Sequence, residues 1–303
     1  MRKFGLLYLL FCVVALVSAQ AQEWTYSYPA SERDSFQSAQ FLLVLNPKIT
    51  QPQSVIVFVS GEDVDARWQI KNRAMMDLAL KTRSILLGCK FSNRPSQDFS
   101  VADQGGRLAL DTALIELSKK SEQLKDINQV SLFMVGKGQG AQFVYEYAMS
   151  GRDRVAGLVV EDPFYLTKSP ARALQNIPIL FLSSKFSPDP TSLNTKAFFK
   201  EQRKYGALWC RLSQEGNPIK FSVQGLISLF IEETLVARID ERSFIRAPKI
   251  LPIMKGWTHE RVNGSPAKVI PYNLTRRGQE ADLNWYATQN LAEKMMPLAI
   301  GQP

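Results

Sequence analysis

Residues 54–59 read Ser-Val-Ile-Val-Phe-Val, and Ser60-Gly61 ends the run. Five consecutive apolar, mostly β-branched side chains leave neither face of a strand for water, so this strand is central and covered on both sides. A shorter apolar stretch precedes it at 41–45, and comparable runs recur at 84–89, 130–135, 155–160, 179–183 and 207–212. Helical spacing fills most of the gaps, at 68–81, 103–124, 138–149, 193–204 and 222–238. Leu110, Leu114, Leu117 and Leu124 share one face, as do Ala141, Val144, Tyr145 and Ala148. Strands alternating with helices predict an α/β chain: a mostly parallel sheet with helices on both faces. Beyond about residue 240 the pattern decays into a Pro-punctuated tail with Trp257, Trp285 and Tyr286, which is expected to wrap the same domain.

The first residues read as an address. Met1-Arg2-Lys3 is basic, residues 4–17 are apolar, and Ala19-Gln20-Ala21 has the A-x-A form of a cleavage site. The apolar run is shorter than the roughly 20 residues a spanning helix needs. The expectation is a signal peptide over 1–21 and one domain over 22–303, exported to the periplasm or secreted, with no integral membrane segment after cleavage. Removing 1–21 lowers the net charge from +9 to +7 and leaves two cysteines, Cys89 and Cys210. Both sit in apolar strand segments and read as buried small hydrophobes. Basic residues are dispersed, with no run of five or six, so nucleic-acid binding has no support. The chain holds a single histidine, His259, which excludes a multi-histidine metal site and leaves little conventional acid–base chemistry. No cofactor and no metal are expected. Glu62, Asp63 and Asp65 form a small acidic group that reads as a solvated loop.

Chemistry concentrates at Gly136-Lys137-Gly138-Gln139-Gly140-Ala141-Gln142-Phe143, between a strand and a helix. Two mechanisms place glycines there. In the G-x-S-x-G elbow they permit a sharp turn that presents a nucleophile. In the G-x-G-x-x-G/A fingerprint they let the backbone approach a pyrophosphate, and Gly136, Gly138 and Ala141 satisfy that pattern, with Glu161 placed as the ribose-binding acid. Against the second reading, the fingerprint normally opens the first βαβ unit, whereas strand–helix pairs precede this one.

From about residue 38 onward the chain resembles the α/β-hydrolase fold, and more narrowly the exported bacterial proteins similar to poly(3-hydroxybutyrate) depolymerases and related esterases. The residues carrying the resemblance are 55–61, the elbow and the helix that follows it, Arg154-Val155-Ala156-Gly157-Leu158-Val159, and Gly206-Ala207-Leu208-Trp209. Members carry G-x-S-G-G-A-Q-F at the elbow, so the resemblance puts Gly138 at the nucleophile position. It implies an acid near Phe186, where Asp189 is the nearby carboxylate, and a His in a loop where this chain reads Glu215-Gly216-Asn217-Pro218. It further implies an oxyanion-type donor pair at Gln139 and in the loop of Gly61 and Glu62.

A glycine has no group to attack a carbonyl, and Asn217 cannot take a proton from one that did. The sequence therefore points to a pseudo-hydrolase, catalytic residues none, that binds an ester, carboxylate or sugar from a small molecule or polymer around Gly61, Glu62, Gly138 and Gln139. A serine-independent hydrolase using Asp189, Glu161 or His259 is the alternative, and a dinucleotide-binding protein is a further one.

Overall fold

The computed structural model describes residues 21–62, 64–164, 166, 171–183, 189–213, 223–239, 247–260, 267–275 and 282–299. The expected signal peptide, save its last residue Ala21, falls outside them. So do Asp63, Phe186 and the loop containing Asn217.

Eight strands form one sheet: β1 (Gln22–Tyr28), β2 (Phe36–Leu45), β3 (Ser54–Val59), β4 (Ser84–Asn93), β5 (Ser131–Lys137), β6 (Val155–Glu161), β7 (Ile179–Ser183) and β8 (Trp209–Ser213). Their order is β1-β2-β4-β3-β5-β6-β7-β8. β1 and β2 pair antiparallel, as do β2 and β4, and every later pair is parallel. β3 is buried along its whole length, as its composition requires, with Val57 opposite Leu87 on one side and Met134 on the other.

Alternation along β5 assigns the faces. Phe133 meets Phe230 edge-on at 6.0 Å, on the side of α5 (Val223–Arg238), which also carries α1 (Arg73–Thr82) and α6 (Gln289–Ala299). Gly136 points the other way, to α3 (Gln139–Gly151). On that side lie α2 (Arg107–Ser118) and α4 (Asp189–Lys204), the latter reaching α3 through Tyr145 and Phe198. An aromatic cluster fixes α3 to the sheet: Phe91 stacks on Phe99 at 4.8 Å and meets Phe143 at 5.3 Å.

Two expectations need correction. The segment 103–124 is not one helix. Gly105 takes φ +97° and an added Cβ would meet the Asp34 carboxylate at 2.1 Å, so residues 102–106 form a π-turn before α2, and 122–124 a separate 3-10 turn. The segment 68–81 is likewise split, into a 3-10 turn (Ala66–Lys71) and α1. Asn72 stands between them in extended conformation, its Oδ1 accepting the Met75 N–H at 2.9 Å. β1 is an edge strand that the sequence pattern over 22–53 does not announce, although Trp24, Tyr26 and Tyr28 alternate with exposed residues at period two.

The tail builds a hairpin, β9 (Trp257–Glu260) with β10 (Lys268–Pro271), then α6, neither of them anticipated. It lies against β8. The Trp285 N–H donates to the Trp209 carbonyl at 2.9 Å, and the Asn284 amide both accepts from Arg211 N–H at 2.7 Å and donates to its carbonyl at 3.1 Å. The buried Arg203 guanidinium pins this layer by donating to the Leu283 carbonyl and the Tyr272 hydroxyl, each at 2.7 Å.

Candidate functional site

The site begins with two glycines whose missing side chains let helix and strands touch. A Cβ on Gly136 would sit 2.2 Å from the Gly140 carbonyl oxygen, and one on Gly140 would sit 2.2 Å from that of Val59. The first turn of α3 therefore packs directly on β5 and β3. Gly138 between them has φ +60°, the left-handed region where glycine is at ease. Its N–H donates to the Glu161 carbonyl at 2.9 Å, and its own carbonyl accepts from Ala141 and Gln142. Among the described residues, the nearest neighbour of a Cβ at Gly138 would be the Phe164 ring, at 4.0 Å. The turn thus aims position 138 clear of the other described residues, at the C-terminal ends of β3, β5 and β6.

Around it, the loop after β3 contributes Gly61 and Glu62. The Glu62 N–H donates to Gln139 Oε1 at 2.7 Å. Gln139 Nε2 in turn reaches Asp98 Oδ1, in the loop after β4, at 3.4 Å. The structure so brings Gly61 and Glu62 to Gly138 and Gln139 through the glutamine side chain.

Lys137 and Glu161 pair in register at the ends of β5 and β6, and their side chains form an ion pair of 2.7 Å. The Glu161 hydrogen bond, outweighing partial burial, raises the lysine above its usual value. Asp162, one residue on, has φ +50°, and Phe164 is exposed. Sequence reasoning does not single out Lys137, Asp98 or Phe164. Lys137 lies inside the elbow motif, but its partner follows only from the β5–β6 register. Asp98 belongs to a loop with no periodic signal.

Of the other sequence candidates, Phe186 and Asn217 fall outside the described residues. Asp189 is the first residue of α4. His259, on β9, contacts the Ala292 carbonyl of α6 through Nε2 at 2.6 Å and packs on Tyr286 at 4.9 Å. Burial holds its pKa below the usual histidine value. Cys89 and Cys210 are free, buried, and pushed to high pKa by desolvation. Asp65 serves Arg67, which holds its carboxyl below the usual range. Among the described residues no group of three or more His, Cys, Asp or Glu could hold a metal ion, and no helix is long and apolar enough to cross a membrane.

No family model matches the chain, and no curated protein matches it. Solved structures do. A thermostable esterase superposes with a TM-score of 0.53 at 14% identity, over 74% of this chain and 64% of that one, which is less than two thirds of its length. A Pyrobaculum calidifontis esterase gives 0.50 at 12% identity, over 78% of this chain and 92% of that one. A ferulic acid esterase gives 0.54 at 8% identity, over 72% and 99%. At such identities the likeness is one of fold. A mostly parallel eight-stranded sheet, helices on both faces and a glycine-flanked strand–helix turn, together with the likeness to these esterases, make this an α/β-hydrolase fold.

Proposed function

We propose that this is an exported protein which keeps the esterase-like scaffold but binds its ligand instead of cleaving it. The ligand is an ester, carboxylate or sugar group held in the cleft at Gly61, Glu62, Gly138 and Gln139. One observation carries the reading: the residue presented at the tip of the turn is Gly138, with φ +60° and, among the described residues, no atom closer to an added Cβ than the Phe164 ring. With no oxygen or sulfur at that position, no acyl-enzyme can form there. The surroundings agree. Glu161 is engaged by Lys137, and the His259 ring is engaged by α6, so neither is presented as a base. Gly136 and Gly140 serve helix–strand packing, which accounts for the glycines without a pyrophosphate.

The test is hydrolysis of short-chain nitrophenyl esters and labelling by a fluorophosphonate, with heat-killed protein as control. Ligand-observed NMR with butyrate, ethyl butyrate and galacturonate runs in parallel. The expected result is background hydrolysis, no label, and saturation transfer to at least one probe. Gly138→Ser is expected to stay near background too, since an unassisted serine lacks the roughly 10²–10⁴-fold that a general base supplies. Labelling of the wild-type chain at any residue overturns the proposal.

A further inference from the structure

The Gln139 side chain joins three loops of the cleft. It starts α3 directly after Gly138, its Oε1 accepts from Glu62 N–H at 2.7 Å, and its Nε2 lies 3.4 Å from Asp98 Oδ1. The two contacts fix which end of the amide is oxygen. A flipped group would press NH2 on a backbone N–H and a carbonyl on a carboxylate. Asp98 Oδ1 is itself held, accepting the Ser100 N–H at 2.8 Å. Glu62 N–H and Asp98 are thus a donor and an acceptor spaced to fit one planar carboxamide.

We infer that the Gln139 carboxamide is an internal stand-in for the ligand: the cleft recognises an amide group, and Gln139 must swing aside for it. This rests on the binding function proposed above and departs from it in the group bound, an amide in place of an ester or carboxylate. An amide carbonyl can take the Glu62 N–H while the amide N–H faces Asp98. An ester has no hydrogen to offer Asp98, and a carboxylate would meet it as a like charge. Either mismatch leaves a polar group without its partner. Gln139 therefore acts as a gate and sets specificity by competition.

The experiment compares the wild-type chain with Gln139→Met, which keeps length and removes both the acceptor and the donor. Its probes are benzamide, benzoate and methyl benzoate, which share one ring and differ in the group offered. Amide exchange at Glu62, read by NMR without ligand, reports the gate alone. In Gln139→Met the Glu62 N–H is expected to exchange faster, and benzamide to bind about 10-fold tighter than to wild type, the size of one net hydrogen bond. Benzamide should also exceed benzoate and methyl benzoate by about 10-fold or more in the variant. Unchanged exchange at Glu62 overturns the gate. Benzoate or methyl benzoate binding the variant as well as benzamide overturns amide selection and leaves a binding protein of the class proposed above. No binding of benzamide to the variant overturns the inference, while the wild-type NMR and labelling tests judge the binding function separately.

Discussion

At Gly136 and Gly140 an added methyl group would meet backbone carbonyl oxygens 2.2 Å away, and backbone cannot yield as a side chain can. At Gly138 the same methyl has room among the described residues, and the left-handed φ of +60° opposes it. Gly136→Ala and Gly140→Ala are therefore expected to destabilise the protein by about 3 kcal/mol or more. Gly138→Ala should cost about 1–2 kcal/mol, the penalty of a Cβ in that region. Urea midpoints for the three variants check this, and a Gly138→Ala loss as large as the other two would contradict it. The contrast matters for function. Two of the glycines are held by packing, whereas position 138 meets no described residue that would exclude a side chain, and carries none. The elbow motif made all three glycines visible in the sequence, but spacing could not distinguish packing from presentation. That distinction needed the distances from strand to helix.

Among the elements, those with strong periodicity were legible and those defined by interruptions were not. β7 lies where its apolar run ends at both sides, and the inward face of α3 is the one its spacing gives. Helix breaks at Asn72 and Gly105 are set by single residues inside otherwise helical spacing, and the second depends on Asp34, far along the chain. The tail is the extreme example. Its hairpin and α6 exist because β8 has an edge to cover and Arg203 has carbonyls to bind, both contacts of long sequence separation. His259 belongs to this layer. Burial lowers its folded pKa, so above the unfolded value of about 6.5 both states are neutral and the contribution to stability is complete. As pH falls below about 6.5 the unfolded chain takes the proton first, and stability is lost down through the folded pKa. His259→Gln removes the titration while its amide can still reach the Ala292 carbonyl. Melting temperatures measured from neutral to mildly acidic pH should fall less steeply for the variant. Equal slopes would show that His259 does not set them.

For the whole molecule, β1 starts at Gln22, the residue that follows Ala19-Gln20-Ala21, and pairs Gln22 with Leu45. Cleavage after Ala21 would therefore leave the edge strand complete, and N-terminal sequencing of exported material is expected to read Gln22-Glu23-Trp24. A sequence starting at Met1 would refute this. The fold class was determined by the sequence itself, because burying a strand on both faces demands a continuous apolar run, and such runs alternate here with amphipathic helices. The same local chemistry determined that Gly138 has no group to act as a nucleophile. Tertiary structure alone decided what surrounds it. Lys137 meets Glu161 through the register of two strands, and Gln139 meets Glu62 and Asp98 through loops 77 and 41 residues away. Such contacts are fixed by where the sheet sets down the ends of its strands, which no local pattern of residues encodes.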